Sequence, residues 1–200
     1  QKITFSSNPY DWLEASFFYT NIQGKPYPGY ESIQDYKDKG FNFKLRLKEE
    51  GKLPALAVGI NDIAGTGLYG SEYIVGSYGI GKLDMHFGIG WGAYNGSKYN
   101  FKNPFRYLDD RFENRAEPAG TLADTGAFQP GRYFSDESSS PFFGISYLLK
   151  DSFLLKFEHD TTLTDNRIKY KAPDNQYSLG LDFISNRNFN FGFSFERGNT

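Results

Sequence analysis

Two-residue alternation of apolar and polar side chains runs through segment after segment of this chain, and it leaves little room for a helical fold. From Leu83 to Ala93, the residues Leu83, Met85, Phe87, Ile89, Trp91 and Ala93 share one parity, and Asp84, His86, Gly88, Gly90 and Gly92 share the other. Successive strand side chains point to opposite faces, so this segment reads as a strand with one apolar face. Phe41, Phe43, Leu45 and Leu47 likewise oppose Asn42, Lys44, Arg46 and Lys48. Phe153, Leu155 and Phe157 oppose Leu154, Lys156, Glu158 and Asp160. Tyr177, Leu179, Leu181 and Phe183 oppose Ser178, Gly180 and Asp182, while Phe189, Phe191, Phe193 and Phe195 oppose Asn190, Gly192, Ser194 and Glu196. Less regular stretches at 2–6, 12–20, 53–62, 71–79 and 141–150 bring the expected total to ten strands.

The connections follow a rhythm of their own. Short ones, "SNPYD", "EEGK", "GIGK", "LKDS" and "SNRN", alternate strictly with long ones at 21–39, 63–70, 95–140 and 161–175. Transmembrane β-barrels connect their strands in this way, with tight periplasmic turns and long external loops. The expected fold class is therefore all-β, an antiparallel transmembrane outer-membrane β-barrel. A soluble carbohydrate-binding β-sandwich is the competing architecture, because a half-exposed sheet shows the same alternation.

Composition removes other classes. Aromatic residues reach 18%, too many for a disordered chain. A net charge of −2 argues against a nucleic-acid surface. There is no cysteine, so disulfides and thiolate metal sites are out of reach. No apolar run approaches the roughly 20 residues a membrane helix needs.

In a barrel the Phe- and Leu-rich face meets lipid, and the opposite face lines a wet lumen. The lumen-facing candidates are Lys44, Arg46, Asp84, His86, Lys156 and Glu158. Mixed charges of this kind are costly in a dry core and ordinary in water, where opposite signs pair across strands. With the short turns on the periplasmic side, the first strand starts outside and the last ends outside. Residues 1–200 are thus expected to be one barrel segment, a multi-strand slice of a larger barrel, with a long external loop at 95–140. Any targeting segment is expected to lie outside the chain, since Gln1 is an uncommon native start.

The motifs with possible chemistry reduce mostly to structure. "GIGWG" has glycines inside a strand, whereas a phosphate cradle needs glycines between a strand and a helix N-terminus. In "DIAGTGLYGSEY", Asp62, Gly65, Gly67 and Gly70 suit tight turns with positive φ. Asp84 and His86 share a face, but spacing places no nucleophile beside them, and two ligands on one strand do not make a metal site. No catalytic residue, metal or cofactor is expected. The segment 95–140 combines aromatic and charged side chains; loops of that length are usually functional or disordered, and this one is too aromatic for simple disorder. Aromatic faces stack on sugar rings, so Tyr99, Phe101, Arg106, Tyr107, Asp110, Arg111 and Phe112 are glycan-contact candidates. A lid that packs on itself is the alternative for the same loop.

The stretch Leu53–Tyr94, "LPALAVGINDIAGTGLYGSEYIVGSYGIGKLDMHFGIGWGAY", resembles the signature region of the YjbH family. The segments "YDWLEASFFYT", "YKDKGFNFKLRLKEEGKLPALAVG", "NPF" and "FERGNT" support the resemblance over nearly the whole chain. It implies a large outer-membrane β-barrel protein, several times longer than this chain, in the Gram-negative cell envelope. It further implies export or assembly of a secreted exopolysaccharide, as conduit or scaffold, beside periplasmic and lipoprotein partners. The resemblance supplies no catalytic residues. A barrel hydrolase acting on lipid or glycan is the alternative function.

Overall fold

The computed structural model describes residues 2–26, 34–67, 69–117, 128–163, 175–184 and 190–198. Ten long strands appear where alternation predicts them: β1 (Lys2–Tyr10), β2 (Leu13–Pro26), β3 (Asp35–Lys48), β4 (Ala55–Ile63), β5 (Ser71–Ile80), β6 (Leu83–Gly92), β8 (Ser138–Leu149), β9 (Phe153–His159), β10 (Tyr177–Ile184) and β11 (Asn190–Glu196). The pattern does not reveal β7 (Phe101–Lys102), two residues that pair with the start of β8 inside the long connection. Phe189, the turn "SNRN" and most of the connection 161–175 lie outside the described residues.

Each long strand pairs antiparallel with its neighbour in sequence, apart from the step from β6 to β8 across β7. The result is one continuous sheet, β1-β2-β3-β4-β5-β6-β8-β9-β10-β11, rather than the two packed sheets of a sandwich. Among the described residues the sheet does not close into a barrel, since β1 pairs only with β2 and β11 only with β10.

Register keeps the two faces chemically distinct across every strand. On one face Leu45 lies opposite Leu13 and Val58, Val58 opposite Ile74, and Ile74 opposite Ile89. Farther along, Ile145 lies opposite Met85 and Phe157, Phe157 opposite Leu179, and Leu179 opposite Phe195. On the other face Ser16 pairs with Ser6 and Asn42, Lys44 with Glu14 and Gly59, and Glu158 with Gly144 and Ser178. A slip by one residue would exchange the faces, so the alternation itself pins the register.

Burial is concentrated at one end of the strands. Phe18, Tyr36, Asp38, Asp62, Ser71, Glu72, Trp91, Asn103, Ser140, His159 and Thr161 are all buried, and all sit at the end that carries the long connections. Ala57 is the buried apolar residue of a strand body among the described residues. The strand bodies are exposed on the apolar face as well: Phe5, Phe41, Leu45, Phe87, Leu155, Leu181 and Phe193 all reach solvent, Phe87 with 61% of its surface.

Three expectations need correction. The short connection "SNPYD" is mostly strand, because β1 runs to Tyr10 and the turn is Asp11–Trp12. The connection 21–39 is largely strand, because β2 and β3 continue as a paired ribbon to Pro26 and from Asp35. Backbone pairing needs no apolar stripe, so the polar sequence "TNIQGKP" hides the extension. Trp91 has the parity of the apolar face, expected to meet lipid, but is fully buried, 0% exposed, because the long connection folds back over the end of β6.

Candidate functional site

The cap over the strand ends is built around Trp91. Its ring stacks on Phe105 at 5.4 Å and meets Phe134 edge-on at 5.3 Å, and Phe105 also packs against Phe112 at 5.6 Å. Opposite Trp91 in the sheet is Glu72, also 0% exposed. Arg115 grips that carboxylate bidentately, Nη1 to Oε2 at 2.7 Å and Nη2 to Oε1 at 2.8 Å, and the Phe134 backbone N–H donates to it at 3.0 Å. Asn103 ties the loop together: Nδ2 donates to the carbonyls of Phe112, Phe134 and Asp136, and Oδ1 accepts from the Phe105 N–H. That contact starts the 3-10 turn Pro104–Tyr107, and Asp109 caps the next turn, Asp110–Glu113. The lid alternative thus describes part of this loop well.

Glu72, Arg115 and Asn103 were not among the candidate site residues that sequence reasoning picked out. Glu72 carried a usable signal, since it shares the apolar parity of Ile74 and a carboxylate on such a face demands a partner. Nothing in the sequence spacing pointed to Arg115.

The turn after β4 uses the residue types expected there, with one substitution of roles. Asp62 and Gly67 have positive φ, and so does Ala64, whereas Gly65 and Gly70 do not. Gly65 is required by contact instead: a Cβ there would collide with the Asp62 carboxylate. Asp62 accepts from the Tyr69 N–H and Asp38 from the Thr66 N–H, each at 3.0 Å, which fastens the turn to β3 and β4.

The glycan-contact candidates divide by location. Tyr99, Phe101, Tyr107, Asp110 and Arg111 lie exposed on the cap, Tyr107 with 81% of its surface open. Arg106 pairs with Glu113 at 2.8 Å and sits 6.0 Å from the Tyr107 ring. Phe112 faces inward to Phe105 and belongs to the packing of the cap. Arg111 binds Asp109 through Nε and Nη2, and this holds the Asp109 carboxyl down at about 2.

All six lumen-facing candidates share the polar face. Lys44 reaches Glu14 across the strands at 3.7 Å, and Arg46 reaches Glu49 at 3.0 Å. Lys156 pairs with Asp182. Asp84 lies opposite Gly79, and His86 opposite Ser77, whose hydroxyl is 2.8 Å from Nδ1. The partner of His86 is therefore Ser77 rather than Asp84. Glu158 stands between Gly144 and Ser178, and with His86 it lines a cavity of about 340 Å³. Tyr73, Tyr94 and Phe142 form the aromatic side of the same cavity.

Among the described residues no group of His, Asp or Glu is arranged to hold a metal, and no helix is long and apolar enough to cross a membrane, which leaves strands untouched as spanning elements. What the arrangement offers is a two-faced sheet with hydrogen-bonding and aromatic groups on its polar side.

No solved structure shows a significant match to the chain. An Escherichia coli (strain K12) protein named uncharacterized lipoprotein YjbH is 33% identical over 200 residues, an alignment that covers 96% of this chain and 28% of that protein. The chain therefore spans well under half the length of this relative. The YjbH family model, described as exopolysaccharide biosynthesis protein YbjH, matches residues 1–200, and the chain belongs to that family.

Proposed function

We propose that this chain forms part of an outer-membrane β-barrel that serves export or assembly of a secreted exopolysaccharide as a conduit or scaffold, without chemistry of its own. The observation that carries the reading is the distribution of burial: the strand bodies are open on both faces, apolar on one and polar on the other, while packing is confined to one end. Lipid satisfies the first face and water the second. The unpaired edges of β1 and β11 call for further strands, since open edges are costly in hydrocarbon. The relative's length leaves ample chain to supply them. That relative is named a lipoprotein, which fits a place in the cell envelope. Exposed Tyr99, Phe101 and Tyr107 suit weak stacking on a passing polymer, and periplasmic or lipoprotein partners complete the machinery in this reading.

The test is a pair of adjacent substitutions in the full-length protein. Phe193→Arg places a charge on the lipid side and costs about 2–4 kcal/mol, so the heat-modifiable form should be lost. Ser194→Arg points into the lumen and should leave that form intact. Equal behaviour of the two variants sinks the assignment of faces.

The contact between Ser77 and His86 supports a second reading, a barrel hydrolase acting on lipid or glycan. In that reading Ser77→Ala abolishes function with folding intact; in the conduit reading secretion is unchanged.

A further inference from the structure

We infer that the polar face carries a saccharide cleft seated on Tyr73, Tyr94 and Phe142, and that it takes neutral or amine-bearing sugar units in preference to uronic acids. This rests on the conduit reading above and assigns the site where the polymer is held. Three glycines prepare the cleft. A Cβ at Gly59 would run into the Tyr73 ring, one at Gly88 into the Phe142 ring, and one at Gly90 into Tyr94. The rings of Tyr73 and Phe142 therefore lie down on the strand backbone, each over a residue that only glycine can occupy. A ring laid on the sheet keeps its other side toward the cavity, and all three residues are half-buried rather than enclosed. They brace one another edge-on or tilted, Tyr73 with Tyr94 at 5.8 Å and Tyr94 with Phe142 at 6.0 Å, and so form one contiguous platform. Asn61 donates to the Tyr94 hydroxyl at 3.2 Å and holds that ring in place.

Polar groups surround the platform. His86, Glu158, Asp160 and Thr162 line the same cavity, which at about 340 Å³ falls within the range of small-ligand sites. An aromatic floor beside carboxylates and hydroxyls matches a pyranose, which has apolar C–H faces and an equatorial belt of hydroxyls. A second cavity of about 350 Å³ shares Glu158 and Asp160 and continues over β10 and β11. Two cavities joined by shared carboxylates form a track along the sheet, as a polymer would need. The charge of the track sets the preference among sugars. It contains Glu158, Asp160, Asp182 and Glu196 against Lys156 and Arg197. Lys156 pairs with Asp182 and Arg197 with Asp160, so the net negative charge rests with Glu158 and Glu196. Carboxylated sugars meet like charge there, and amino sugars meet opposite charge.

The experiment uses the detergent-purified full-length protein, with saturation-transfer NMR against cellohexaose, a glucosamine hexamer and hexagalacturonate. The first two should bind and the third should not. Phe142→Ala should weaken both by tenfold or more. Glu158→Gln, at the exposed rim, should weaken the glucosamine hexamer about tenfold and cellohexaose much less, and it keeps the test decisive if Phe142→Ala fails to assemble. Hexagalacturonate binding as tightly as the others, unaltered binding by an assembled Phe142→Ala, or equal effects of Glu158→Gln on both binding sugars would each overturn the cleft. A protein that assembles and supports secretion but binds none of the three overturns the cleft alone; a protein that never enters the membrane overturns the barrel reading instead.

Discussion

Glu72 and Arg115 show how one buried charge organises the cap. The carboxylate is out of contact with water and Arg115 is nearly so, at 13% side-chain exposure. Removing one partner of such a pair strands the other, at a cost of about 3–5 kcal/mol. Arg115→Ala should therefore release the loop from β5 and β6, seen as new protease cleavage between residues 97 and 138 in otherwise assembled protein. Unchanged cleavage would mean that the aromatic cluster alone holds the cap. Asp109 shows the opposite case, an exposed pair in the same loop. Its pKa is depressed by Arg111, so its contribution is present above the ordinary carboxylate value and is lost as pH falls through about 2. An NMR titration of the Asp109 carboxyl should place its midpoint near that value, and Arg111→Ala should return it toward the usual range.

At the scale of elements, the long connection does two jobs on different surfaces. Its inner side, Phe105, Phe112 and Phe134, covers Trp91, and its outer side presents Tyr99 and Tyr107. Deleting 97–138 outright would uncover a buried tryptophan and an unpaired Glu72, so it tests stability more than function. The double substitution Tyr99→Ser and Tyr107→Ser avoids this, because both side chains are largely exposed. We expect the heat-modifiable barrel to persist and secreted polymer in the medium to fall. Normal secretion would leave the loop as cover only.

For the whole molecule, the decisive property is a sheet that, among the described residues, has no second layer packed on it. In the proposed reading the apolar face, which spans ten strands, is covered by lipid, and among the described residues β1 pairs only with β2 and β11 only with β10, which leaves an edge of each for further pairing. Residues 1–200 produced alone should aggregate, or give no heat-modifiable species in detergent. A monodisperse, folded product in buffer would rule out the membrane reading of the apolar face.

Alternation determined the strands and their faces from sequence alone. Phe41 to Lys48, Leu83 to Phe87 and Phe153 to Glu158 sit in the structure as their parity requires, because successive side chains of a strand point to opposite faces. That Lys44, Arg46, Asp84, His86, Lys156 and Glu158 share the polar face was legible for the same reason. Tertiary structure alone decided the cap. Trp91 carries the parity of Phe87 yet is buried, and Asn103 looks like any loop asparagine yet binds three carbonyls from distant positions. It also decided that His86 meets Ser77, and that Gly59 and Gly88 lie beneath aromatic rings from neighbouring strands. These contacts join residues far apart in the chain through strand register and loop return. Local periodicity reports only the face of the sheet each side chain takes, and it holds no information about which partner arrives there.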